Sequence, residues 1–149
     1  MSWWKKSDDR ALKEAYSLQL DQYSLNVDLI TPPSKPNVSL PLTHVFGVDP
    51  GDKVRVAYHC PVTTILDYMS DGEESFYGEH NHEGQTEKEI MYVDRGWCEY
   101  ELMIGKAKRK IRVEEGQYFT FDAKVWHTWL ASPDFIGRIQ FIPGLKQKS

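Results

Sequence analysis

Cysteine is scarce: Cys60 and Cys98 are the only two in 149 residues, and they lie too far apart in sequence to suggest a disulfide framework. A reducing, cytoplasmic setting is therefore expected. No apolar run approaches the roughly 20 residues that a membrane-spanning helix needs, so no membrane partner is expected. Positive charge is not in excess either. With 18 Lys and Arg against 22 Asp and Glu, the formal charge is -4. That balance lacks the basic footprint of a non-specific nucleic-acid binder, and no nucleic-acid partner is expected. The densest basic run, Lys106-Ala107-Lys108-Arg109-Lys110, follows Gly105 and reads as a solvated hairpin tip. The opening Met1-Ser2-Trp3-Trp4-Lys5-Lys6 leads into charged residues instead of the apolar core of a secretory signal. Internal repeats and low-complexity segments are missing as well.

What remains is the composition of one globular domain, 40% hydrophobic and 13% aromatic, long enough for a core and short for two. The spacing predicts a helix from Ser7 to about Tyr23. Ser7 is a suitable N-cap, Asp8 and Asp9 suit the positive helix end, and Leu12, Ala15, Tyr16, Leu20 and Tyr23 recur at helical intervals. Asn26 to Thr31 reads as a short strand, stopped by Pro32-Pro33-Ser34-Lys35-Pro36. Residues 1–25 thus form a helical segment and 26–149 the body of the domain.

From Leu42 onward the pattern is β. Apolar runs at Thr43 to Val48, Lys53 to Cys60 and Thr63 to Met69 are separated by turn residues at Asp49-Pro50-Gly51-Asp52, Pro61 and Ser70-Asp71-Gly72. Further runs follow at Ile90 to Asp94, Trp97 to Ile104, Lys110 to Val113, Tyr118 to Phe121, Val125 to Leu130 and Ile136 to Ile142. Nine or ten short strands at this spacing imply an all-β sandwich or barrel. Alternation turns Cys98, Tyr100, Leu102 and Ile104 inward, along with Glu87, Glu89, Met91 and Val93. A carboxylate in such an apolar stripe costs free energy unless a cation or donor meets it.

The chemistry concentrates in Gly78-Glu79-His80-Asn81-His82 and, seven residues on, Glu89. On a strand, His80 and His82 would point to one face, and the turn-like Glu83-Gly84-Gln85-Thr86 would return a carboxylate beside them as a hairpin partner. His127, on another expected strand, completes a set of three imidazoles and one carboxylate. Such a nitrogen and oxygen set suits a first-row divalent metal. His44 and His59 read as exposed or locally satisfied residues.

These residues resemble the motifs of the cupin superfamily. Its first motif is a glycine, H-x-H, three or four residues, a glutamate, six residues and a glycine; His80, His82, Glu89 and Gly96 fill those places. In its second motif a glycine leads to a P-x-G turn and a histidine; here Gly116 is followed by Asp122-Ala123-Lys124 and then His127. The spacing from His82 to Glu89 is two residues longer than usual, and Glu87 would restore it. Both glutamates have the same parity, so alternation does not choose between them. Glu89 is preferred because six residues then lead to Gly96. Asp122 and Lys124 replace the proline and glycine of the second motif. The resemblance implies a jelly-roll barrel, a double-stranded β-helix, holding a metal on His80, His82, Glu89 and His127.

A metal-dependent enzyme acting on a small polar molecule is therefore expected, first of all a non-haem iron oxygenase. Fe(II) is favoured, with Mn, Ni or Zn as alternatives, and two coordination positions remain for substrate and dioxygen. A non-redox isomerase or lyase and a non-catalytic small-ligand binder are the other readings. Met91, Tyr100 and Trp129 should share the ligands' interior, and Tyr100 would bring a hydroxyl near the metal. Arg138 and Gln140 share one face of the last strand, opposite Ile139 and Phe141; were they inward, Arg138 would grip a substrate carboxylate or phosphate. By analogy with the family, a homodimer is expected.

Overall fold

The computed structural model describes residues 42–146. The expected helix from Ser7 to Tyr23, the strand from Asn26 to Thr31 and the proline loop lie outside the described residues. Within them, alternation of apolar and polar side chains builds nine strands: β1 (Val54–His59), β2 (Thr64–Met69), β3 (Ser75–His80), β4 (Lys88–Arg95), β5 (Trp97–Ile104), β6 (Ala107–Glu114), β7 (Tyr118–Asp122), β8 (Trp126–Ala131) and β9 (Ile136–Ile142). They form a five-stranded sheet in the order β1-β2-β9-β4-β7 and a four-stranded sheet in the order β3-β8-β5-β6. Every pairing is antiparallel. The inner faces meet over a core that includes Leu66, Met91, Val93, Leu102, Phe119 and Phe141. Each such side chain contributes roughly 1.5–3 kcal/mol on burial. This is the expected all-β jelly roll.

Two local expectations fail. The run from Thr43 to Val48 is not a strand; its first part is a single helical turn, α1 (Leu42–Phe46). Short apolar runs do not distinguish the two states by period. Here Gly47, at φ +81°, returns its N–H to the Thr43 carbonyl at 2.8 Å, closing the turn with the left-handed residue that glycine tolerates. The adjacent side chains Val45 and Phe46 are both buried, which a strand could not achieve against one core. The basic run, secondly, is only partly a hairpin tip. Gly105 and Lys106 make the turn, while Lys108 to Lys110 continue into β6. β6 is an edge strand, and exposed Lys108 and Lys110 are the kind of charge that discourages edge-to-edge pairing.

Gly96 is required by space as well as by conformation. At φ +73° between β4 and β5, a Cβ there would collide with Ser132 Oγ and stand 2.6 Å from Asp134 Oδ1. The Ser132 hydroxyl accepts from the Trp97 N–H at 3.0 Å and donates to Asp134 at 2.9 Å, so this crossing fixes where β4, and Glu89 with it, enters the barrel.

Candidate metal centre

His80 is the last residue of β3 and lies opposite His127 of β8, after a bulge between Tyr77 and His80. His82 lies beyond the strand, in the loop that leaves it. The spacing of two therefore does not work by strand pleating. Backbone bonds hold the loop instead: the His82 N–H donates to the Ala123 carbonyl at 2.9 Å, and the His82 carbonyl accepts from Gln85 at 3.0 Å. The expected hairpin does not form either. Glu89 sits on β4 of the five-stranded sheet, paired with β7 and β9, so it meets the histidines across the barrel interior.

The structure groups the three histidines and sets Glu89 beside two of them. One ring nitrogen from each of His80, His82 and His127 lies within 4.8 Å of the others. Glu89 Oε1 is 2.9 Å from His82 Nε2 and 3.8 Å from His127 Nε2. His82, His127 and Glu89 are buried, and His80 is partly so. Glu87 is exposed and precedes β4, so the strand parity that would have turned it inward does not reach it. Of the two glutamates, only Glu89 joins the imidazoles.

Their protonation follows from their partners. His80 Nδ1 is 2.6 Å from the Gly78 carbonyl, and His127 Nδ1 is 2.9 Å from the Val125 carbonyl. A carbonyl only accepts, so each Nδ1 carries the proton and each Nε2 presents a lone pair. Burial, reinforced by His82 and His80 and opposed by Glu89, lowers the His127 pKa to about 3, which keeps the ring neutral. Burial pushes the Glu89 carboxyl up, but hydrogen bonding from His82, electrostatic attraction toward the His127 and His82 rings, and the Tyr100 hydroxyl outweigh it and hold the pKa at about 2. Tyr100 donates to Glu89 Oε2 at 2.7 Å and is itself pushed well above the phenol range, mainly by burial. Its hydroxyl therefore remains a donor.

This donor set fits a cation. Atoms held about 2.1 Å from one ion stand roughly 3 Å apart at right angles and roughly 4.2 Å apart across it, a range that holds the 2.9 and 3.8 Å from Glu89 Oε1 to His82 and His127. Among the described residues His82 Nδ1 has no hydrogen-bond partner. His82 Nε2 donates to Glu89 Oε1 at 2.9 Å, and a cation between the two would take the place of that proton. The three histidines could thus hold a metal ion. The adjoining cavity is only about 20 Å³, the room of roughly one water molecule.

Met91, Tyr100 and Trp129 line this cavity as expected, together with Ile139 and Phe141. The inward position of Ile139 and Phe141 sends Arg138 and Gln140 to the outer face. Arg138 there donates to both oxygens of Asp67, at 2.7 and 3.3 Å, and Gln140 donates to Thr63 at 3.2 Å. Arg138 therefore does not enter the metal cavity. His44 is exposed and His59 meets Thr64 Oγ1 at 2.7 Å, outside the site. Cys98 is fully buried, and burial pushes its thiol far up, which makes it inert. The wall residues not anticipated are Val45 and Phe46 of α1. Their only sequence signal is an adjacent apolar pair, which strand alternation does not produce.

No protein-family model matches the chain, and no curated protein matches it. Solved structures do. KdgF from Halomonas sp. is 26% identical at a TM-score of 0.50, over 64% of this chain and 84% of that one. An uncharacterized conserved protein with a double-stranded β-helix domain from Klebsiella pneumoniae is 16% identical at 0.51, over 86% of this chain and 100% of that one. An oxalate decarboxylase variant from Bacillus subtilis is 16% identical at 0.51, over 61% of this chain and 25% of its own. The fold is the double-stranded β-helix, the one that the resemblance to the cupin superfamily implies. No described helix is long and apolar enough to cross a membrane.

Proposed function

We propose that the chain is a metal-dependent cupin enzyme, in which His80, His82, Glu89 and His127 hold one divalent ion and a small polar molecule is oxidised with dioxygen. One observation carries the reading: three imidazole nitrogens and a buried, ionised carboxylate converge inside a barrel, where such a cluster is costly without a cation. Iron(II) on this nitrogen and oxygen set would supply Lewis acidity and one-electron chemistry, and Mn, Ni or Zn suit the same donors.

The chain's own residues prepare the site. The Gly78 and Val125 carbonyls hold the tautomers of His80 and His127, which fixes the ring orientation and raises the basicity of Nε2. Tyr100 holds Glu89 Oε2, leaving Oε1 to face the imidazoles. Met91, Ile139 and Phe141 exclude bulk water, so the charges act in a medium of low polarity.

The test is elemental analysis of the purified chain, followed by oxygen uptake with small polar candidate substrates. Bound iron with substrate-dependent oxygen consumption is expected. Turnover that consumes no oxygen would move the site to isomerase or lyase chemistry, and a chain that retains no divalent ion would overturn the proposal.

A further inference from the structure

We infer that Phe46 plugs the substrate chamber of the metal site, and that the molecule displacing it is a small planar, aromatic or conjugated compound. The inference rests on the proposed metal site and concerns what reaches it. Beside the imidazoles there is about 20 Å³, enough for a water-sized occupant and too little for any organic substrate. For an organic molecule to enter this cavity, some part of its wall has to yield. Met91, Tyr100, Trp129, Ile139 and Phe141 all sit on strands held by ladder hydrogen bonds. Phe46 sits on one helical turn and is followed by Gly47 at φ +81° and exposed Val48. The turn carrying Phe46 is the wall element whose movement breaks no sheet pairing.

The space Phe46 fills has a definite chemistry. Its ring centroid lies 5.1 Å from that of Tyr77, 6.2 Å from Tyr68 and 6.5 Å from Trp129. Those three rings also pack on one another. Trp129 stacks on Tyr77 at 5.6 Å and meets Tyr68 edge-on at 4.8 Å, so they keep their places without Phe46. The Tyr68 and Tyr77 hydroxyls bond each other at 2.7 Å, which satisfies both polar tips and leaves aromatic surface toward Phe46. Phe46 and Trp129 also line the cavity beside the imidazoles, which makes this slot its neighbour. A slot already shaped around one aromatic ring accepts another planar π system, and its metal-facing end favours a ligand that carries oxygen donors.

The experiment uses the full chain loaded anaerobically with iron(II), as wild type, Phe46→Ala and Phe46→Leu, with circular dichroism to establish folding. The probe is 4-nitrocatechol, planar and able to chelate, followed optically by stopped flow; nitric oxide, followed by its electron paramagnetic resonance signal, reports that the iron is accessible. Phe46→Ala should bind 4-nitrocatechol at least tenfold faster than wild type, with Phe46→Leu in between and the nitric oxide signal the same in all three. Equal 4-nitrocatechol rates in wild type and both variants, with iron bound and the nitric oxide signal present, would overturn the plug. Should Phe46→Ala not fold, the Phe46→Leu rate against wild type decides alone. A wild-type chain that retains no iron would overturn the metal reading instead, a result distinct from equal rates.

Discussion

Removing the Tyr100 hydroxyl tests the architecture around Glu89 with little collateral change. In Tyr100→Phe the ring keeps its contacts with Phe119 at 5.3 Å and Phe121 at 5.0 Å, so packing is conserved. What disappears is the 2.7 Å bond to Glu89 Oε2, in a place where neither group reaches water. A hydrogen bond to a charged group is worth about 1.5–3 kcal/mol. At about 1.4 kcal/mol per tenfold, that corresponds to roughly 10- to 100-fold in affinity if the bond serves chiefly to hold the carboxylate in its metal-binding pose. Partners of metal ligands generally cost about 10- to 100-fold on mutation, an independent route to the same range. Iron affinity would be measured by competition with a chromophoric chelator, and urea midpoints of the metal-free proteins would separate affinity from folding. The expected result is an affinity loss of at least about tenfold, with metal-free stability lower by about 1–3 kcal/mol. An affinity within twofold of wild type would show that Tyr100 does not position Glu89.

Glu89→Gln should abolish stable iron retention after dialysis while Glu87→Gln, at an exposed position, leaves it unchanged; loss of metal in the Glu87 variant alone would reverse the assignment. Asp67 gives a pH prediction. Burial pushes its carboxyl up, but Arg138 and Arg55 outweigh burial and bring it below the ordinary value. A folded pKa below the unfolded one means stability that is present above about pH 4 and lost as pH falls through the folded value. Asp67→Asn should therefore cost about 1 kcal/mol at pH 7, given the pair's partial exposure, and flatten the acid limb of a urea-midpoint titration. Gly96→Ala should destabilise by about 2–3 kcal/mol, combining left-handed backbone strain with displacement of the Ser132–Asp134 bond, and equilibrium urea unfolding would measure it. The expected homodimer is checked by gel filtration, where the mass of a single chain would remove it.

Much of the barrel was legible because its signal is local. Trp97–Ile104 and Ile136–Ile142 have the bounds that alternation and flanking turns predict, and the interior parity of Cys98, Tyr100 and Leu102 holds. The three histidines that the structure groups stand at the motif spacing, but not for the geometric reason that spacing suggests. Strand pleating was to align His80 with His82, and a hairpin was to return Glu89. The loop beyond β3 and a crossing between sheets do this instead, and both depend on contacts between residues distant in sequence, such as His82 with Ala123. Alternation likewise could not choose between Glu87 and Glu89, because parity has meaning only inside a strand and β4 starts at Lys88. Phe46 was hidden for a related reason. A short apolar run carries no period of its own, so nothing local marks it as a wall of the site.

The crossing has a further consequence for how the site is held. His80 and His127 belong to neighbouring strands of the four-stranded sheet, and His82 continues from the end of one of them, whereas Glu89 comes from the opposite sheet. A hairpin site would be assembled within one ladder and would survive some slackening between the layers. Here the carboxylate reaches the imidazoles only while the two sheets keep their spacing and β4 keeps its register, which Gly96 and the Ser132–Asp134 pair secure at the far end of the strand. An ion on these four residues would therefore bridge the layers of the barrel. Metal affinity and the packing of the sheets are on this account one linked equilibrium, so substitutions that loosen the interlayer core far from the histidines should weaken the site through the position of Glu89.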